Sequence, residues 1–164
     1  MELTHFSDYC LRVLIFVAAH PDERATIGRI AQSYDISENH LVKVVHFLGK
    51  AGLLANERGR NGGIRLARPA AKICIADVLR LTEGVGGPVP CFDAAAPRCR
   101  IAPACRLRGR LGDAIAAFYA VLARYTLADL VTEPAAMRQL LFSPAGASAK
   151  QQTRVRRVRA VASA

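Results

Sequence analysis

The chain has 164 residues, 52% of them apolar and 22% charged, a composition that can bury a core and that excludes a disordered or collagen-like polymer. Its formal charge of +10 points to a polyanionic partner, and half of it falls in residues 143–164, where Lys150, Arg154, Arg156, Arg157 and Arg159 meet no acid. The start has no basic stretch ahead of an apolar one, and the longest apolar run, 13–19, is about a third of a membrane span, so the expected location is the cytoplasm, with no membrane partner.

The first predicted helix covers 9–19: Leu11, Leu14, Ile15 and Ala18 recur at the spacing of a helix laid on a core, with Ser7 or Asp8 as its cap. Pro21, Asp22 and Glu23 break the chain, and Thr26 opens a short helix over 27–33 with Ile27 and Ile30 inward. After a turn at 34–36, Ser37 is positioned to cap a third helix. Its Leu41, Val44, Val45 and Leu48 form a buried stripe, and Asn39, Lys43, His46 and Lys50 form the opposite face. Gly52 ends it, and extended pieces at 53–58 and 64–67 flank the turn Gly59-Arg60-Asn61-Gly62-Gly63 as a hairpin with a basic tip.

Beyond Pro69, the residues Ile75, Val78, Leu79 and Thr82 predict a helix packed back on these elements. Residues 84–103 hold three glycine or proline clusters and little periodicity, the pattern of an irregular loop. A long helix follows over 107–125, in which Leu111, Ile115, Phe118, Leu122 and Tyr125 alternate spacings of four and three. That seam predicts a dimerisation helix; the alternative is a helix packed on its own domain. The expected fold class is therefore mainly α with a small β-hairpin. It divides into a winged helix-turn-helix domain over 1–83, a cysteine-rich loop over 84–106, the dimerisation helix and short C-terminal helices over 107–142, and a flexible basic tail over 143–164.

Two short helices joined by a three-residue turn, followed by a basic hairpin, are the pattern of a DNA reader. The inner stripe anchors the second helix while its outer face offers hydrogen-bonding groups to bases and phosphates. Asn39, His40, Lys43 and His46 on that helix, with Arg58, Arg60, Asn61 and Arg65 in the wing, are the candidate DNA-binding residues. The wing carries four arginines, with Arg68, against the single acid Glu57. The competing interpretation is a solvated helix face and a purely structural turn.

Five cysteines in a reducing compartment are not expected to form disulfides, and an odd number cannot all pair within one chain. Cys91, Cys99 and Cys105 follow the spacing C-x7-C-x5-C, wider than the paired knuckles of structural zinc sites, and suit a larger inorganic unit such as an iron-sulfur cluster. Cys10 and Cys74 lie in helical or apolar patterns and are expected to be buried and inert. A fourth ligand is left open by chemistry among His5, Asp8, His20, Asp93 and Asp113.

At these residues the chain resembles the iron-sulfur winged-helix repressors, and within them the NsrR type that senses nitric oxide, over roughly residues 1–142. The segments that carry the resemblance are Leu3-Thr4-x-Phe6-x-Asp8-Tyr9-x-Leu11-Arg12, Asn39-His40-Leu41-Val42-Lys43, the wing from Arg58 to Leu66, Pro103-Ala104-Cys105-Arg106-Leu107, and Tyr125-Thr126-Leu127-Ala128-Asp129-Leu130. The resemblance implies a homodimeric repressor, not an enzyme, that binds a palindromic operator on double-stranded DNA. It also implies a 4Fe-4S or 2Fe-2S cluster held by Cys91, Cys99 and Cys105, with Asp8 of the other protomer completing the set. Regulators of IscR type carry a histidine where this chain has Arg108. Iron-responsive repressors of RirA type share the cysteine spacing, whereas Asp8 and the recognition-helix stretch Asn39-His40-Leu41-Val42-Lys43 favour the nitric oxide sensors. An iron-responsive repressor is the alternative in the same class, and an iron-sulfur carrier protein the alternative from another.

Overall fold

The computed structural model describes residues 2–21, 23–57, 59, 62–84, 89–92 and 99–142. Six α-helices and one antiparallel hairpin follow one another among these residues: α1 (His5–Ala19), α2 (Ile27–Tyr34), α3 (Glu38–Lys50), β1 (Leu54–Glu57), β2 (Gly63–Leu66), α4 (Ile75–Glu83), α5 (Leu107–Leu122) and α6 (Pro134–Phe142). The fold is a winged helix followed by a long helix, as the sequence pattern implies. No helix among the described residues is long and apolar enough to cross a membrane.

The core forms where the apolar stripes of α1, α3 and α4 meet. Val13, Leu14, Phe16 and Val17 of α1 pack with Leu41, Val44, Val45 and Leu48 of α3 and with Ile75, Val78 and Leu79 of α4. All four expected stripe residues of α3 are buried, so its orientation is set by apolar burial at about 2 kcal/mol per side chain. The stripe leaves the opposite face of α3 to solvent, which is what positions the functional side chains.

Helix α1 begins earlier than its apolar spacing suggests, at His5, and its cap is Thr4 rather than Ser7 or Asp8: the Thr4 hydroxyl accepts the Ser7 N–H at 3.2 Å. Ser7 is instead fully buried inside the helix, with its hydroxyl 2.7 Å from that of Thr82 in α4. Thr26 caps α2 as expected, accepting the Arg29 N–H at 3.3 Å. Ser37 occupies the cap position of α3 but makes no side-chain cap bond.

Between α2 and α3 the chain turns through Asp35 in the left-handed region, φ 53° and ψ 47°. Aspartate tolerates this conformation better than most residues with a β-carbon. The reversal lets Ile36 drop into the core and its N–H reach the Ala31 carbonyl at 3.1 Å, which fixes the angle between the two helices.

The C-terminal part returns to this core. Helix α5 stops at Leu122, short of the expected Tyr125, because residues 125–127 are taken by long-range pairing. The Tyr125 carbonyl accepts the Ile75 N–H at 3.0 Å, the Leu127 N–H donates to Ile73 O at 2.8 Å, and Cys74 and Thr126 form an antiparallel bridge. Leu127 is completely buried as a result. Helix α6 packs on α1 and α2, where the Arg138 guanidinium donates to the Ala19 carbonyl at 3.1 Å.

Candidate nucleic-acid interface and cysteine site

Helix α3 presents Asn39, Lys43 and His46 on one exposed face, opposite its buried stripe. His40 is also exposed but lies toward α1, its ring 6.1 Å from that of Tyr9. An amide, an ammonium and an imidazole on one helix face offer the donors and acceptors that base edges and phosphates require.

Pairing with a segment well outside the hairpin fixes the wing. Ala25 and Ile64 exchange backbone hydrogen bonds at 3.1 and 2.8 Å, an isolated antiparallel bridge beside β2. Gly63 permits that approach: a β-carbon there would lie 2.7 Å from Arg24 Cβ and 2.9 Å from the Ala25 carbonyl oxygen. At the turn end of the hairpin strands, Glu57 holds two guanidinium groups, Arg65 Nε at 2.8 Å and Arg24 at 2.7 Å. The Arg65 hydrogen bond, aided by the charge of Arg24, keeps the Glu57 carboxyl below the usual carboxylate range.

Arg65 is thus exposed as expected but tied to an acid. Arg24, which the sequence did not single out, joins it through pairing that has no local signature. Arg58, Arg60 and Asn61 lie outside the described residues.

All five cysteines are free. Cys10 is fully buried in α1, and burial pushes its thiol up to about 12, so it is inert at neutral pH as expected. Cys74 is only half-buried, contrary to expectation, because it stands at the start of α4 on the bridge to Thr126, its sulfur 3.8 Å from the Ala123 carbonyl oxygen.

Cys91 and Cys105 are half-buried and Cys99 is exposed. Two successive turns link the last two: the Ala102 N–H donates to Cys99 O at 3.0 Å, and the Cys105 N–H to Ala102 O at 3.3 Å. Cys105 then leads directly into α5. Phe92, next to Cys91, lies beneath the Arg108 guanidinium at 5.8 Å and beside Gly112. The segments bearing all three thiols therefore gather at the N-terminal end of α5.

Among the described residues, no three His, Cys, Asp or Glu side chains converge as a single metal ion requires. The donor chemistry nevertheless fits an iron-sulfur cluster, since unpaired thiols are its usual ligands.

The open choices for a fourth ligand differ in their surroundings. Asp8, in the first turn of α1, is 40% exposed and accepts the Arg12 Nε–H at 2.8 Å. His20 is buried and stacked on Phe16 with ring centroids 4.7 Å apart, which removes it from a surface site. His5 stacks on Tyr9, and Asp113 contacts Arg110 at 3.5 Å. Asp93 lies outside the described residues.

The profile of a family described as Rrf2, iron-dependent transcriptional regulator, matches residues 3–133. The HTH-type transcriptional regulator NsrR of Geobacillus kaustophilus is 49% identical over 142 residues, 86% of this chain and 97% of that protein. The Bacillus subtilis regulator of the same name is 47% identical over the same shares. Among solved structures, CymR, the global cysteine regulator of B. subtilis, superposes with a TM-score of 0.62 at 28% identity, covering 80% of this chain and 97% of its own.

Proposed function

The chain belongs to the Rrf2 family of transcriptional regulators, and from that premise we propose that it is a homodimeric, cytoplasmic repressor that senses nitric oxide through an iron-sulfur cluster. It is a DNA-binding regulator, not an enzyme. The observation that supports the sensing proposal is that Cys91, Cys99 and Cys105 are free thiols on segments adjoining the start of α5, a helix with no fully buried residue.

Cys91, Cys99 and Cys105 would hold a cluster of 4Fe-4S or 2Fe-2S type, and Asp8 of the second protomer would complete the ligand set. The cluster supplies iron with which nitric oxide reacts. A carboxylate would bind such iron less firmly than a thiolate, so Asp8 would be the ligand most readily given up. Its neighbour Arg12, 2.8 Å away, would hold it within its own chain.

The second protomer fits along α5. Leu107 and Val121 on this helix are 61% and 50% exposed in the single chain, apolar surface that an isologous partner would cover. Two copies of α3 at a fixed separation read two half-sites of a palindromic operator, with Asn39, His40, Lys43 and His46 in the major groove. The wing, with Arg58, Arg60, Asn61 and Arg65, lies along the flanking backbone. Loss of the tie between Asp8 and the opposite cysteine segment would release that separation and end repression.

An operator shift assay on apo-protein and on anaerobically cluster-loaded protein tests this. The loaded form is expected to bind more tightly and to let go on addition of nitric oxide. Equal binding by both forms would end the sensing proposal, and release by an iron chelator as fast as by nitric oxide would favour an iron-responsive repressor instead.

A further inference from the structure

Val42 interrupts the otherwise polar outer face of α3. It is 52% exposed, one of the large apolar side chains that the described residues leave open to solvent. At about 100° per residue, Asn39, Val42, Lys43 and His46 fall within roughly 100° of arc, so Val42 shares the face that carries the hydrogen-bonding groups. The buried stripe on the opposite side leaves Val42 no role in the core of the chain.

We propose that Val42 is a specificity-determining residue that selects a thymine in each half-site by packing on its 5-methyl group. The proposal rests on the assignment of α3 as the groove-reading helix, and on nothing about the cluster.

An aliphatic side chain makes no hydrogen bond. Against the acceptors of guanine or the amino group of cytosine, it would strip water from polar atoms and return nothing. The thymine methyl is the apolar feature of the major-groove edge that it matches. Branching at Cβ holds valine to essentially one χ1 rotamer on a helix, so little side-chain freedom remains to be lost on binding. Lys43 beside it and His46 one turn further on supply the polar contacts that keep the helix in register around it.

The test uses the full chain, anaerobically loaded with cluster, and a duplex that the chain itself selects from a random pool. Each thymine of that duplex is replaced in turn by deoxyuridine, which removes the methyl group and keeps every hydrogen bond. The wild-type chain is expected to lose about fourfold in affinity at one thymine of each half-site, the worth of one buried methyl group. Val42→Ala, at an exposed position that leaves folding intact, is expected to bind more weakly and to be less sensitive at that same thymine.

A wild-type chain indifferent to every deoxyuridine, or an alanine variant with an unchanged profile, overturns the role of Val42 while selective binding upholds the groove-reading assignment. Failure to select any duplex would overturn both.

Discussion

The carboxylate of Glu83, the last residue of α4, accepts the Thr4 backbone N–H at 2.8 Å and the Thr4 hydroxyl at 3.1 Å, and so closes the end of one helix on the start of another. Partial burial pushes the Glu83 carboxyl up, but hydrogen bonds from Ser7 and Thr4 outweigh it, and the group ends below its ordinary 4.5. A carboxyl depressed in the folded chain adds stability above its unfolded value and loses it as pH falls through the folded one. Glu83→Gln should therefore cost about 1 kcal/mol at neutral pH, modest because the group is only partly shielded. Thermal melts across pH should show that deficit shrinking below about pH 4.5. A deficit of the same size in strong acid would mean that charge plays no part.

Among the five cysteines, Cys10 and Cys99 stand at opposite extremes of accessibility. In the apo-protein a thiol-alkylating reagent is expected to modify Cys99 and to reach Cys10 only after denaturation, as mapped by peptide mass spectrometry. In the cluster-loaded protein, Cys91, Cys99 and Cys105 should be protected together. Continued labelling of one of the three at its apo rate would remove it from the ligand set.

The apolar side of α5 carries the assembly proposal. Val121→Glu should yield monomers in sedimentation velocity without lowering the melting temperature by more than a few degrees, since Val121 is half exposed in the single chain. A variant that remains dimeric would place the subunit contact elsewhere.

Much of the helix-turn-helix was legible because one stripe decides it. Leu41, Val44, Val45 and Leu48 repeat at helical spacing, and their burial dictates which side of α3 is left to solvent. What escaped was non-local. Ser7 and Asp8 looked like caps, but Ser7 is drawn inward by Thr82 and the capping falls to Thr4. The heptad seam continued to Tyr125, yet pairing of residues 125–127 with 73–75 ends α5 sooner.

At the wing, no local pattern announces that Arg24 shares Glu57 with Arg65. For the cysteines, spacing set Cys91, Cys99 and Cys105 apart from Cys10 and Cys74 as candidate ligands. Their placement at one end of α5 depends on the Phe92 contact with Arg108 and Gly112, a tertiary arrangement.

The hydrogen bonds from Ile75 to Tyr125 and from Leu127 to Ile73 make the C-terminal end of α5 a pivot anchored in the core, with the thiols at the opposite tip. A helix of 16 residues is about 24 Å long, so tilting it by about 5° around that anchor swings the tip by about 2 Å. In the proposed dimer, chemistry at the sulfurs would act with the full leverage of a long arm, and a slight rotation at its root would be enough to change how far apart two copies of the chain hold their reading heads.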